Sequence, residues 1–152
     1  MKAFQFRLDQ ALRWRATQAD IEKAKVAAAA GRVSTLQTEL EKRRNCLTAG
    51  AKDLIRTGVA GPELEGWAAY SKRARRDMVQ IEKHLTEAER ALGEQLRALV
   101  EANRRVRLIE NLKHAEQARW TAELDREMEA FSGEAFLVRY NRESRRARSS
   151  GG

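Results

Sequence analysis

Residues 64–109, LEGWAAYSKRARRDMVQIEKHLTEAERALGEQLRALVEANRRVRLI, carry a seam at alternating steps of three and four. It reads Leu64, Trp67, Ser71, Ala74, Met78, Ile81, Leu85, Ala88, Leu92, Gln95, Leu99, Ala102, Val106 and Ile109, broken in polarity only at Ser71 and Gln95. That spacing averages about 3.5 residues per turn, which an α-helix keeps facing a partner only by supercoiling. The stretch is therefore a coiled-coil helix. Its partner is sought within the same chain.

Upstream, a second heptad series runs Leu12, Ala19, Val26, Val33, Leu40, Leu47 and Leu54, apolar at every step. Its companion positions are Leu8, Arg15, Glu22, Ala29, Leu36, Arg43 and Gly50, so this seam is narrow, and charged stems lie along it with their heads in water. Ala27 to Ala30 raise helix propensity and let a neighbouring backbone come close. Between the two series stands Gly58-Val59-Ala60-Gly61-Pro62, with the only proline of the chain. Gly58 suits the position just past a helix end, and Pro62 suits a first helical turn. Glu63 and Glu65 then place negative charge at the helix N-terminus, where the macrodipole favours it.

The expectation is an all-α, long antiparallel two-helix coiled-coil hairpin with unequal arms. Helix one covers about 8–57, the turn 58–62, helix two about 62–131, and a mobile basic tail 139–152. At ~1.5 Å per residue the arms would measure about 75 Å and about 105 Å, so the end of helix two outruns its partner. Beyond Ile109 the seam positions become Lys113, Glu116, Trp120 and Glu123, and a shifted apolar line begins: Trp120, Leu124, Met128, Phe131, Ala135, Val138. Two successive steps of four make this a stutter, which turns the apolar edge toward the N-terminal Phe4, Phe6 and Leu8 or toward another protein. Ser132-Gly133 is expected to fray or kink the helix, and Arg139, Arg142, Arg145, Arg146 and Arg148 make the tail basic.

Composition narrows the function classes. Of 152 residues, 34% are charged and 6% aromatic, a helix-rich and core-poor recipe. A two-helix hairpin offers no enclosed place for reacting groups, so catalysis is not expected and no cofactor or small-molecule substrate is implied. His84 and His114 are about 45 Å apart along one helix and cannot share a metal, and neither has a ligand spacing to Cys46. No Gly-rich phosphate loop is present. The lone Cys46 excludes an intramolecular disulfide and fits a reducing compartment. No stretch has the ~20 apolar residues of a membrane span, and the start of the chain lacks the apolar core of a signal peptide, so a cytoplasmic location is expected.

The formal charge of +8 permits polyanionic partners without choosing among them. Basic clusters at Lys42-Arg43-Arg44, Lys72-Arg73-Arg75-Arg76 and Arg104-Arg105-Arg107 are dispersed through the heptads. A basic-zipper DNA reader needs one uninterrupted basic helix before a parallel zipper, so nucleic acid is not the expected partner. Beside the seam, Tyr70, Arg73, Asp77, Gln80 and His84 form a line on the outer face, either a solvated flank or a protein-docking strip.

Four phrases carry a family resemblance: FQFRLDQALRWR at 4–15, GVAGPELEGWAAY at 58–70, RRVRLIENLKHAE at 104–116 and FSGEAFLVRY at 131–140. In order and spacing they resemble the FliJ family of flagellar export proteins, with Ser132-Gly133 standing where members carry an acidic pair. The small stalk proteins of non-flagellar type III secretion systems look similar. The resemblance implies a coiled-coil stalk that associates with the hexameric export ATPase, promotes its assembly and activity, and links it to the cytoplasmic domain of the transmembrane export gate and to export chaperones. It implies residence in the cytoplasm, peripheral to the inner membrane at the flagellar base. Phe4, Phe6, Leu8, Leu12, Arg15, Trp120, Leu124, Met128 and Arg139 would then meet the ATPase, and Tyr70, Arg73, Asp77, Gln80 and His84 the gate. A basic nucleic-acid-binding coiled coil and a structural homodimer are the readings from other classes.

Overall fold

The computed structural model describes residues 3–58 and 60–149, apart from the side chains of Ala147 and Ser149. Helix α1, Asp9–Thr57, and helix α2, Pro62–Ser149, pack against each other as an all-α hairpin with no strand among the described residues. The arms are unequal, at 49 and 88 residues. The chain divides into two compact units, one formed by Arg15–Arg104 and one by Met1–Trp14 with Arg105–Gly152.

In the unit Arg15–Arg104, burial follows the heptads. Ala19, Val33 and Leu40 of α1 and Ala74, Ile81 and Ala88 of α2 are the buried residues, and the other seam positions from Trp67 to Ala102 are half-buried. Only Leu64, at the start of α2, stands exposed among them. The companion positions Arg15, Glu22 and Arg43 are also half-buried, their stems along the seam and their charges at its rim. Ser71, one of the two polar breaks, donates its hydroxyl to the Ala68 carbonyl at 3.0 Å and leaves no orphan. The other does: the Gln95 Oε1 atom is buried with no hydrogen-bond partner among the described residues. A polar seam residue of this kind costs stability and marks register.

The turn is built from two glycines in the left-handed region, Gly58 at φ 63° and Gly61 at φ 78°. The Gly58 N–H donates to the Leu54 carbonyl and ends α1. The Gly61 carbonyl accepts from the N–H groups of Leu64 and Glu65, which makes it the N-cap of α2 with Pro62 at the first helical position. Val59 lies outside the described residues.

In the second unit the extended segment before α1 packs on α2. Phe6 is 8% exposed, the one buried aromatic of the chain's described residues. Phe4 meets Trp120 with ring centroids 6.0 Å apart and planes tilted by 54°, a favourable offset for two quadrupoles. The N-terminus thus supplies the partner that the stutter at Trp120 turns toward.

Two expectations are corrected here. Helix α2 does not stop near Phe131 but runs to Ser149, passing through Ser132 and Gly133 without a break. One glycine costs a helix interior about 1 kcal/mol, which the strong helix formers Glu129, Ala130, Glu134, Ala135 and Leu137 around it offset. The basic segment expected to be mobile is accordingly helical over 139–149, while 150–152 fall outside the described residues.

Candidate functional site

Three surfaces present themselves. Among the described residues no group of three or more His, Cys, Asp and Glu side chains gathers in metal-binding range, and no helix is long and apolar enough to cross a membrane.

The first surface lies in the unit containing both the N-terminal segment and residues 105–149. Of the residues assigned by resemblance to an ATPase, Phe4, Phe6, Leu8, Leu12, Trp120, Leu124, Met128 and Arg139 belong to this unit, whereas Arg15 begins the other. Phe4, Phe6 and Trp120 are turned into intramolecular packing. Their role here is to hold the N-terminal segment on α2. A clamp secures the same place: Lys113 Nζ donates to Asp9 Oδ1 at 2.9 Å and stands 5.8 Å from the centre of the Phe6 ring, while Arg13 pairs with the other Asp9 oxygen at 2.9 Å. The Lys113 hydrogen bond, helped by the Lys113 and Arg13 charges and opposed by partial burial, holds the Asp9 carboxyl below its ordinary value.

From Asp125 to Glu143 every residue of α2 is exposed. Met128, Phe131, Phe136, Leu137, Val138 and Tyr140 are all exposed, Phe131 at 75%. At about 100° per residue Phe131 and Val138 fall on one side of the helix and Phe136 and Tyr140 on the opposite side, with Leu137 between, so the segment is apolar on several sides at once. The expected single stripe, Met128-Phe131-Ala135-Val138, is part of a wider belt.

The second surface is the line Tyr70, Arg73, Asp77, Gln80 and His84, in the unit Arg15–Arg104. All five residues are exposed. Three of them border the groove between the helices more closely than an outer face would: Tyr70, Arg73 and Asp77 join Glu39, Lys42, Arg43, Cys46 and Ala74 around a recess of about 310 Å³. Asp77 is bound to Arg43 across the helix pair at 2.9 Å, and Arg43 also reaches Glu39 at 3.2 Å. The Glu39 hydrogen bond first, opposed by partial burial and then reinforced by Asp77, raises the guanidinium above its ordinary value. His84 stands 3.8 Å from Glu87.

Tyr70 is not an isolated aromatic. Its ring lies 5.4 Å from that of Trp67, and Trp67 in turn covers Gly50, where any Cβ would overlap the indole. The heptad reading placed Gly50 and Trp67 at seam positions; what it lacked was that the glycine is the seat of the tryptophan, a contact whose signal is a glycine in a companion position otherwise held by larger side chains.

The third surface, of which the sequence shows the basic cluster Lys72-Arg73-Arg75-Arg76 but not the recess, is the other flank of α2 near the turn. Ala68, Ser71, Lys72, Arg75, Arg76 and Val79 surround a shallow recess of about 450 Å³.

Compared with known proteins, the chain matches no family model, no curated protein and no solved structure.

Proposed function

We propose that this chain is a coupling stalk of the type that its resemblance to the FliJ family implies, acting through a ring-shaped export ATPase and carrying out no chemistry itself. The observation that carries the reading is the exposed belt from Met128 to Tyr140 on a helix that continues into Arg142, Arg145, Arg146 and Arg148. A helix with apolar side chains on several sides is one that a partner encloses. A flat docking surface would cover one side only, whereas the central opening of a ring meets all of them. Arginines beyond the belt suit an acidic rim.

The same reading gives Tyr70, Arg73, Asp77, Gln80 and His84 to the cytoplasmic domain of the export gate, allows export chaperones as further partners, and places the chain in the cytoplasm against the inner membrane at the flagellar base. A stalk of a non-flagellar type III secretion system meets the same physical description.

The test is co-purification of the full chain with a hexameric export ATPase and measurement of ATP hydrolysis at low salt. The intact chain is expected to promote ring assembly and raise turnover, and a Phe131→Ser/Phe136→Ser variant with unchanged helicity to lose both. Absence of stimulation by the intact chain refutes the proposal.

A further inference from the structure

We infer a third docking face on this chain, independent of the ATPase and gate surfaces: the recess on the flank of α2 bounded by Lys72, Arg75 and Arg76 receives an acidic amphipathic helix of another protein. The sequence places Lys72, Arg73, Arg75 and Arg76 within five consecutive positions. The next residue, Asp77, is occupied by Arg43, and the next carboxylate, Glu82, by Arg44 at 2.9 Å. Among the described residues Lys72, Arg75 and Arg76 therefore have no carboxylate partner, although most ion pairs of the surface are short. Like charges packed this tightly on one helix repel one another by a few tenths of a kcal/mol per pair. An acidic partner converts that repulsion into attraction.

The shape of the recess selects among polyanions. Its small and apolar floor, Ala68, Ser71 and the half-exposed Val79, is interleaved along the helix with Lys72, Arg75 and Arg76, and the exposed Leu64 lies in the same line toward the start of the helix. The spacing 64, 68, 71, 72, 75, 76, 79 is one face of an α-helix, and from Ala68 to Val79 it runs about 16 Å, or three turns. Short side chains with long cationic ones standing among them accept a Leu or Ile inserted from a partner helix, with that helix's Glu and Asp residues falling on the arginines. A lipid surface calls for the reverse relief, with large apolar side chains projecting beyond the cations. Phosphate backbones have no use for the apolar floor. This flank also lies on the opposite side of the seam from Tyr70, Arg73, Asp77, Gln80 and His84, so the two faces can be occupied together.

The experiment uses the full chain and a synthetic peptide of about five helical turns with Leu at helical spacing flanked by Glu. A scrambled peptide of equal composition, duplex DNA and vesicles containing phosphatidylglycerol are measured in parallel by fluorescence anisotropy or co-sedimentation. The amphipathic peptide is expected to bind more tightly than the other three probes. Arg75→Glu/Arg76→Glu should weaken it at least ~10-fold, Val79→Asn a few-fold, and the charge-matched control Lys23→Glu/Arg97→Glu less than ~2-fold, each variant keeping the helicity of the parent. Equal binding of the ordered and scrambled peptides, equal losses in the two charge-reversal variants, or tighter binding of DNA or vesicles that Arg75→Glu/Arg76→Glu abolishes, each overturns the inference.

Discussion

Replacing Gly31 and Gly50 in turn by alanine is expected to move stability in opposite directions, although both positions lie within the same helix. Alanine exceeds glycine by about 1 kcal/mol in a helix interior. At Gly31 a Cβ meets nothing within 4 Å, so Gly31→Ala should collect that gain. At Gly50 the Cβ falls within the Trp67 indole, and the ring must leave its seat. A tryptophan side chain buries ~150–250 Å² when packed. Uncovering about 100 Å² of it at ~25 cal/mol per Å² costs about 2.5 kcal/mol. Net of the propensity gain, Gly50→Ala is destabilised by about 1.5 kcal/mol. At ~2–4 °C per kcal/mol for a chain of this length, Tm should rise by about 3 °C in one variant and fall by about 4 °C in the other. Thermal melts by circular dichroism measure both, and a red shift of tryptophan emission in Gly50→Ala alone reports the displaced indole. Two variants that both rise by the same amount would refute the packing of Trp67 on Gly50.

The Asp9–Lys113 clamp makes a pH statement. Because the Asp9 carboxyl is depressed in the folded chain, its stabilising contribution is complete above the ordinary carboxylate value of 3.8 and disappears as pH falls through the lower, folded-state value. NMR titration should find Asp9 protonating below 3.8 in the parent and at a higher pH in Lys113→Met than in the parent. A double-mutant cycle on Phe4→Ala and Trp120→Ala should give a coupling of about 0.5–1.5 kcal/mol in urea unfolding, and additive losses would deny the ring contact.

Much of the fold was legible because its period is. The α2 seam from Trp67 to Ile109 needs no tertiary knowledge, and Gly58 and Pro62 announce the turn through chemistry that few other residues supply. The end of α2 is less legible, because Ser132-Gly133 has the chemistry of a local breaker while helix extent depends on propensity summed over many neighbours. The pairing of Asp9 with Lys113 spans 104 residues, a separation that no local motif encodes. For the candidate surfaces, spacing identified the flank beginning at Tyr70 but not its stacking on Trp67, and the unpaired cations at Lys72, Arg75 and Arg76 became visible only once Arg43 and Arg44 were seen to take the neighbouring carboxylates.

A hairpin joined at one short turn has a built-in folding order. Loop-closure entropy is smallest beside Gly58 and Gly61, where Gly50 meets Trp67, and grows through the pairs Arg43–Asp77 and Arg44–Glu82, 34 and 38 residues apart, to Asp9–Lys113 at 104. Pairing therefore nucleates at the bend and zips outward, and the last contacts made, at Phe4, Phe6 and Asp9, are the first to open. Among the paired segments, amide exchange should be fastest at the N-terminal one, leaving that end able to let go of α2 while the bend stays shut.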